Sequence, residues 1–397
     1  MVVAAMLDAA GTGLILPLTV LFFVIHVGLP ARLVGAGMSI GGVLALLLAP
    51  VGGQLIDRYG SKRALVCAWV LGCVAVAGYA LVRTWTEIIV VITALGFAST
   101  VSGTARSTLL AGVAERSQIS RVMALSRSFR NAGYGLGGLL ATLALAVGSA
   151  GFLAAIYADA ATFVIAALVV SGMTVPSPSG LTRSDSDHTT LRSVLTNRRY
   201  IAVTALDSLT SFHQVALQVA LPLWVVLYTH APKALVGLLF TLNTVVVVVA
   251  QVRVSRDVRE LAQAPRTYVR GALSIIAAGA LFLAAHYVAA AVAVPLLVIG
   301  AVLLTAAEMY CSAADWVVSF GLADDNHRGK YLAVYSMGDS LGDAVGPSVS
   351  TLLMSAGAMP LWPAVAAIVA CGSLASGAIA RSAAHREPAN TAEPVFN

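Results

Sequence analysis

Several ionisable side chains in this 397-residue sequence stand inside long apolar runs, where a charge costs at least about 2.5–3.5 kcal/mol at mid-span. Each is therefore a candidate for function. Asp339 and Asp343 are four residues apart, one helical turn, so their carboxylates share a face. Two acids so close in a low dielectric repel, and a proton on one relieves the repulsion, which makes this pair the leading candidate for proton exchange. The plainer alternative is that Asp339 faces water and Asp343 alone is buried. Asp8 and Asp207 precede matching Leu-Pro-Leu segments (16–18 and 221–223), and either gate the path or carry a proton. Arg106, Arg127 and Arg130, with Asn131 beside them, either hold a carboxylate until it is protonated or snorkel to an interface. His213, Gln214, Gln218 and Asn243 are polar groups costly against lipid and useful in a cavity; His213 either titrates or bridges helices. Asp159 reads as structural.

These residues need elements to hold them, and composition names the elements. Hydrophobic residues make up 59% and charged residues 11% of the chain, far from a water-soluble balance of roughly 25% charged. Apolar runs predict twelve spanning helices, near 2–26, 34–55, 64–83, 86–107, 122–146, 152–174, 200–228, 234–253, 268–288, 291–314, 332–356 and 361–381. With the N-terminus inside, 21 of the 24 Lys and Arg fall in cytoplasmic segments, so both termini are expected in the cytoplasm. The first run has no charged leader or small-residue cleavage site and reads as a helix, not a signal peptide. The polar stretch 175–199 predicts a linker between two bundles, residues 1–174 and 200–381, followed by a tail, 382–397. An internal repeat supports this: Ala124, Gly133 and Gly137 align with Ala333, Gly342 and Gly346 at a constant offset of 209. A two-fold repeat of six helices is the plan expected for alternating access.

Other classes are disfavoured. The net charge of +6 comes from short topogenic segments, not a basic stripe interleaved with aromatics, so nucleic acid is not expected. Cys67, Cys73, Cys311 and Cys371 lie in or beside apolar runs without metal-ligand spacing and read as packing residues. No nucleophile with a base, metal cluster or phosphate-binding loop is apparent, so neither an enzyme nor a cofactor is expected.

Between helices 2 and 3 the run Gly53-Gln-Leu-Ile-Asp57-Arg58-Tyr-Gly60-Ser-Lys62-Arg63 closely resembles the signature loop of the major facilitator superfamily. Arg328-Gly329-Lys330-Tyr331 and Gly342-Asp-Ala-Val-Gly346-Pro347 are similar to the same family, particularly its proton-driven drug-efflux branches. The resemblance implies an all-α membrane protein of two pseudo-symmetric six-helix bundles, with helices 1, 4, 7 and 10 lining a cavity. It implies that Gly53 admits a close neighbour, that Asp57 caps helix 11, that Gly60 makes the turn, and that the cations pair with acids at other cytoplasmic helix ends. Glu308 on helix 10 would then be a second proton carrier, the partner of a cationic substrate, or an interfacial salt bridge to Arg328 or Lys330. The sequence departs from the pattern at Gly138, where the antiporter motif has proline, and after helix 8, where the glycine-acid pattern is lost.

The expectation is a proton-coupled exporter of small amphipathic drugs or secondary metabolites, monomeric, in the plasma or inner membrane, with no metal. A proton-linked importer or facilitator is the alternative. A transport-inactive sensor or assembly factor is a third, from another class.

Overall fold

The computed structural model describes residues 2–113, 119–173, 194, 196–256, 258, 260–323 and 328–384, and among these no residue is in a strand. Within a bilayer every backbone N–H and C=O must bond inside its own segment, which leaves helices for a chain this apolar. The first helix, α1, is Val2–Leu21, extended by a π-helical turn at Phe22–His26. The rest of the first half is α2 Ala31–Tyr59, α3 Ser61–Gly78, α4 Trp85–Val113, α5 Ile119–Val147 and α6 Ser149–Ser171. α7 spans Arg198–Tyr228 and carries a π-helical turn at Ala216–Ala220. α8 is Leu235–Arg256, α9 Ala264–Ala285, α10 Ala290–Gly321, α11 Arg328–Ser355 and α12 Leu361–Ala384.

Nine of these are long and apolar enough to cross a membrane, among the described residues, and Leu235–Gln251 of α8 is a shorter apolar helix. α5 and α11 miss that measure, and they are the helices carrying Arg130, Asp339 and Asp343. Outward residues such as Val74, Val90, Leu143, Leu168, Leu273 and Leu352 are exposed, as a lipid-facing surface requires. The chain is a multi-pass membrane protein.

One boundary differs in a way that matters. The sequence predicts that helix 10 ends at 314, yet α10 continues to Gly321 because Ser312, Asp315 and Ser319 face the protein interior instead of water. Glu308 is consequently central in α10, about 13 residues and 20 Å from its end, not interfacial.

In the first bundle α1 packs on α5 and α6, α2 on α4, and α3 on α4 and α6; in the second α7 packs on α11 and α12, α9 on α10 and α12, and α8 on α10. The bundles meet through α2 with α11 and α5 with α8. Small residues make those seams: a Cβ on Gly42 would lie 3.1 Å from Ala344 Cα, and one on Gly138 would lie 2.6 Å from Thr241 Oγ1. Ser348 N donates to Ser39 Oγ at 2.9 Å across the first seam. All these contacts fall in the helix halves nearest the 26–31 and 228–235 loops. Toward the opposite end, called here the basic end for Arg58, Lys62 and Arg63, the bundles part to form a cleft. Gly60 makes the α2–α3 turn there with φ of 84°, a conformation that L side chains rarely adopt.

Candidate functional site

The first wall of the site is set by glycine. Gly133 and Gly137 of α5 have no room for a Cβ against the backbones of Met6 and Ala10, so α5 lies directly on α1. That close seat brings α1, α3, α4 and α5 around Asp8. Arg106 Nη1 pairs with Asp8 Oδ2 at 3.3 Å, and Trp69 Nε1 donates to Oδ1 at 3.1 Å. Arg130 stands within electrostatic reach of both Asp8 and Arg106, and its Nη2 donates to Tyr134 Oη at 2.9 Å. Asp8 and Arg106 are each under 9% exposed, so the pair is a neutralised internal strut. Arg127 has a side chain outside the described set. Asp159 is buried in α6, against Gly11 of α1, with Thr162 donating to its Oδ1 at 3.3 Å.

The matching place in the second bundle is built from the opposite charge. Gly342 and Gly346 of α11 seat on Ser211 and Val215 of α7, as Gly133 and Gly137 seat on α1. Asp207 of α7 is 2% exposed and lies in electrostatic contact with Asp315 of α10 and Asp339 of α11. Tyr268 Oη donates to Asp315 Oδ1 at 2.6 Å, and Tyr335 Oη to the same oxygen at 3.2 Å. These acids line a chamber of about 440 Å³ shared with Ser211, His213, Gln214, Trp316, Tyr335 and Ser336, and among the described residues no Lys or Arg lines it. Asp207 Oδ2, Ser211 Oγ and His213 Nε2 are buried there without a hydrogen-bond partner. His213 Nδ1 lies 2.6 Å from Thr210 O, so that nitrogen carries the proton and donates, leaving Nε2 as an acceptor in the neutral ring.

The expected Asp339–Asp343 pair stays in electrostatic contact but lines two neighbouring spaces. Asp339 belongs to the chamber, whereas Asp343 is exposed to the cleft between α2, α4, α7 and α11, beside Gln218, Ser340 and Pro347. A third recess, shared by both bundles, gathers Asn131 and Tyr134 with Gln214, Gln218, Asn243 and Glu308. Asn243 Nδ2 donates to Glu308 Oε2 at 2.7 Å and to Thr305 Oγ1 at 3.1 Å. Glu308 thus faces the shared recess; Arg328 and Lys330, its partners in the salt-bridge alternative, have side chains outside the described set.

The halves are therefore related by position and opposed in charge. Arg106 and Asp315 are 209 residues apart, and so are Arg130 and Asp339, the same offset that superposes the glycines of α5 and α11. Asp8 and Asp207 keep the same sign, so one acid has two arginines near it and the other has two more acids. Asp315, Tyr268 and Tyr335 were not among the expected site residues. The available signal was Glu308: Asp315 is seven residues on, two turns along the same face.

The signature loop behaves differently from what the family resemblance implies. Lys62 Nζ donates to the carbonyls of Ser171 and Met173 at 2.8 and 2.6 Å, closing the C-terminal end of α6 instead of meeting an acid. Asp57 makes no hydrogen bond or ion pair with a described residue, and nothing lies within 4 Å of a Cβ placed on Gly53. Both follow from the parting of α2 and α11 at the basic end. Arg58 instead lies over the Tyr59 ring, 5.4 Å from its centre, and Arg63 is exposed. Gly138, where the antiporter motif has proline, is the contact of α5 with Thr241 of α8. Among the described residues no group of His, Cys, Asp and Glu is arranged to hold a metal ion.

Comparison with known proteins agrees with this geometry. A search by sequence against curated proteins finds no significant relative. Among solved structures, the nucleoside transporter NupG (D323A mutant) is similar at a TM-score of 0.77 and 15% identity, over 96% of this chain and 98% of that one. A D-xylose-proton symporter is similar at 0.75 and 14% identity, over 96% of each chain. A bacterial homologue of the human lysosomal transporter Spinster, inward-facing and occupied, is similar at 0.70 and 12%, over 97% and 95%. These likenesses are of fold. The sequence profile of the Major Facilitator Superfamily matches residues 1–320, and the chain belongs to that family, a transporter and not an enzyme.

Proposed function

We propose that this protein is a proton-coupled secondary transporter that exports small amphipathic drugs or secondary metabolites by antiport, working by alternating access in the plasma membrane with both termini in the cytoplasm. The observation that carries this reading is the meeting of Asp207, Asp315 and Asp339, from three helices, in a chamber lined by no lysine or arginine among the described residues. Ionised together, these carboxylates repel one another, so a proton or a substrate is needed to neutralise them. Competition between the two for the same acids couples their movements. Asp343 and Glu308, facing the cleft and the shared recess, are the accompanying acids.

Everted membrane vesicles with an acidified lumen provide the test. Adding lipophilic cations, neutral antibiotics and sugars in turn is expected to release lumenal protons for one class, and Asp339→Asn is expected to abolish the release. Transport of a labelled solute with no proton movement in the wild type would sink the coupling and favour a facilitator. Proton movement in the same direction as the solute would favour proton-linked uptake, the second reading, for which Gly138 in place of the antiporter motif's proline speaks.

A further inference from the structure

Among the described residues, the chamber between α7, α10 and α11 gathers three carboxylates and no lysine or arginine, and that imbalance describes what fits it. Of its tyrosine hydroxyls, Tyr268 Oη donates to Asp315 Oδ1, and Tyr335 Oη stands within reach of both Asp315 and Asp207. His213 spends its Nδ1 proton on Thr210 O. Asp207 Oδ2 is left without a partner, as is His213 Nε2, an acceptor while the ring is neutral, on side chains 2% and 3% exposed, and the Asp339 carboxylate stands beside Asp207. Ser211 Oγ, 4% exposed and also without a partner, can serve either way. Among the described residues, the charged and titratable groups facing the chamber are Asp207, His213, Asp315, Tyr335 and Asp339, with Tyr268 behind Asp315, and none of these is a fixed cation. Metal ligation is disfavoured because these groups do not converge at metal-ligand spacing. Trp316, Leu332 and Tyr335 supply apolar and aromatic wall beside the acids.

We infer that this chamber binds the N–H-bearing cationic group, a protonated amine or a guanidinium, of an organic substrate, whose body extends toward the cleft. An ammonium supplies in one group both a countercharge for the acids and several donors for their oxygens. A quaternary ammonium supplies charge alone, and an alcohol at most one neutral donor. The substrate class is thereby narrowed to protonated amines, which rests on the transporter reading above but not on proton coupling.

The test is calorimetric titration of the full chain, purified in detergent, with phenethylamine, its trimethylammonium derivative and phenethyl alcohol at neutral pH. Phenethylamine is expected to bind at least about 10-fold more tightly than the trimethyl compound, and the alcohol more weakly still, as charge-assisted hydrogen bonds predict. Asp315→Asn and Asp207→Asn are each expected to weaken the amine about 10- to 100-fold while leaving the alcohol unchanged. The ligand series on the unmodified protein needs no variant to fold. Equal binding of amine and alcohol, equal binding of amine and quaternary compound, or an unchanged amine affinity in a folded Asp315→Asn protein would each overturn the assignment. Since no gradient is present, amine binding without proton movement in vesicles would refute the coupling and leave this site standing. Proton-coupled transport of a neutral solute with no amine binding would do the reverse.

Discussion

Replacing Arg106 by Gln tests whether the first bundle holds a neutralised strut. Asp8 and Arg106 are joined at 3.3 Å, each under 9% exposed, and removing one member of a buried pair costs about 3–5 kcal/mol because the other charge is left uncompensated. Two features of this site favour the lower figure. Trp69 still donates to Asp8 Oδ1, and Arg130 remains within electrostatic reach. The expected loss is therefore about 3 kcal/mol, roughly a hundredfold in the folded-to-unfolded ratio. Asp8→Asn should cost a similar amount, since it leaves Arg106 and Arg130 as neighbouring cations with the acid removed. The double variant carries two neutral amides that can bond to each other and should lie within about 1 kcal/mol of the parent. Unfolding in mixed detergent micelles with increasing dodecyl sulfate, followed by circular dichroism, measures all four proteins. The reasoning fails if Arg106→Gln is as stable as the parent, or if the double variant is no better than the worse single one.

Other predictions concern packing and the chamber. Gly137→Val should abolish folded protein on gel filtration, because a Cβ there meets the Ala10 backbone; a normal elution profile would contradict the α1–α5 seat. Tyr268→Phe should destabilise more than Tyr335→Phe, by about 1 kcal/mol, since the shorter bond to Asp315 is 2.6 Å against 3.2 Å; thermal denaturation in the reverse order would refute that ranking. Cysteines at Gly42 and Ala344 together should crosslink under oxidation and stop transport while folding persists, because that seam must open for the cleft to face the other way. Continued turnover with the crosslink in place would rule out opening at that seam.

Much of the fold could be read from the chain because the bilayer imposes one rule on every span: apolar length. Helix positions, the repeat and the Gly60 turn all follow from it and from the glycine spacing. What the rule does not reach is where a helix continues into polar sequence. Asp315 was hidden because Ser312, Asp315 and Ser319 look like a helix end, whereas α10 keeps them inward to Gly321. Spacing alone was equally unable to place Asp339 and Asp343: four residues is a 40° step around the helix, enough for one to line the chamber and the other the cleft while the two carboxylates stay in electrostatic contact. Whether Asp8 and Asp207 play the same part depended on partners from other helices, information that no local pattern contains.

The opposed charges at one offset also bear on how such a molecule can be encoded. Two identical six-helix chains paired about a two-fold axis must show the same residue on both sides, arginine facing arginine or aspartate facing aspartate. Arg106 opposite Asp315, and Arg130 opposite Asp339, are open to a chain that carries both halves in tandem, where each half can change alone. The unequal cleft is a property that a homodimeric ancestor of the same shape would have been unable to express.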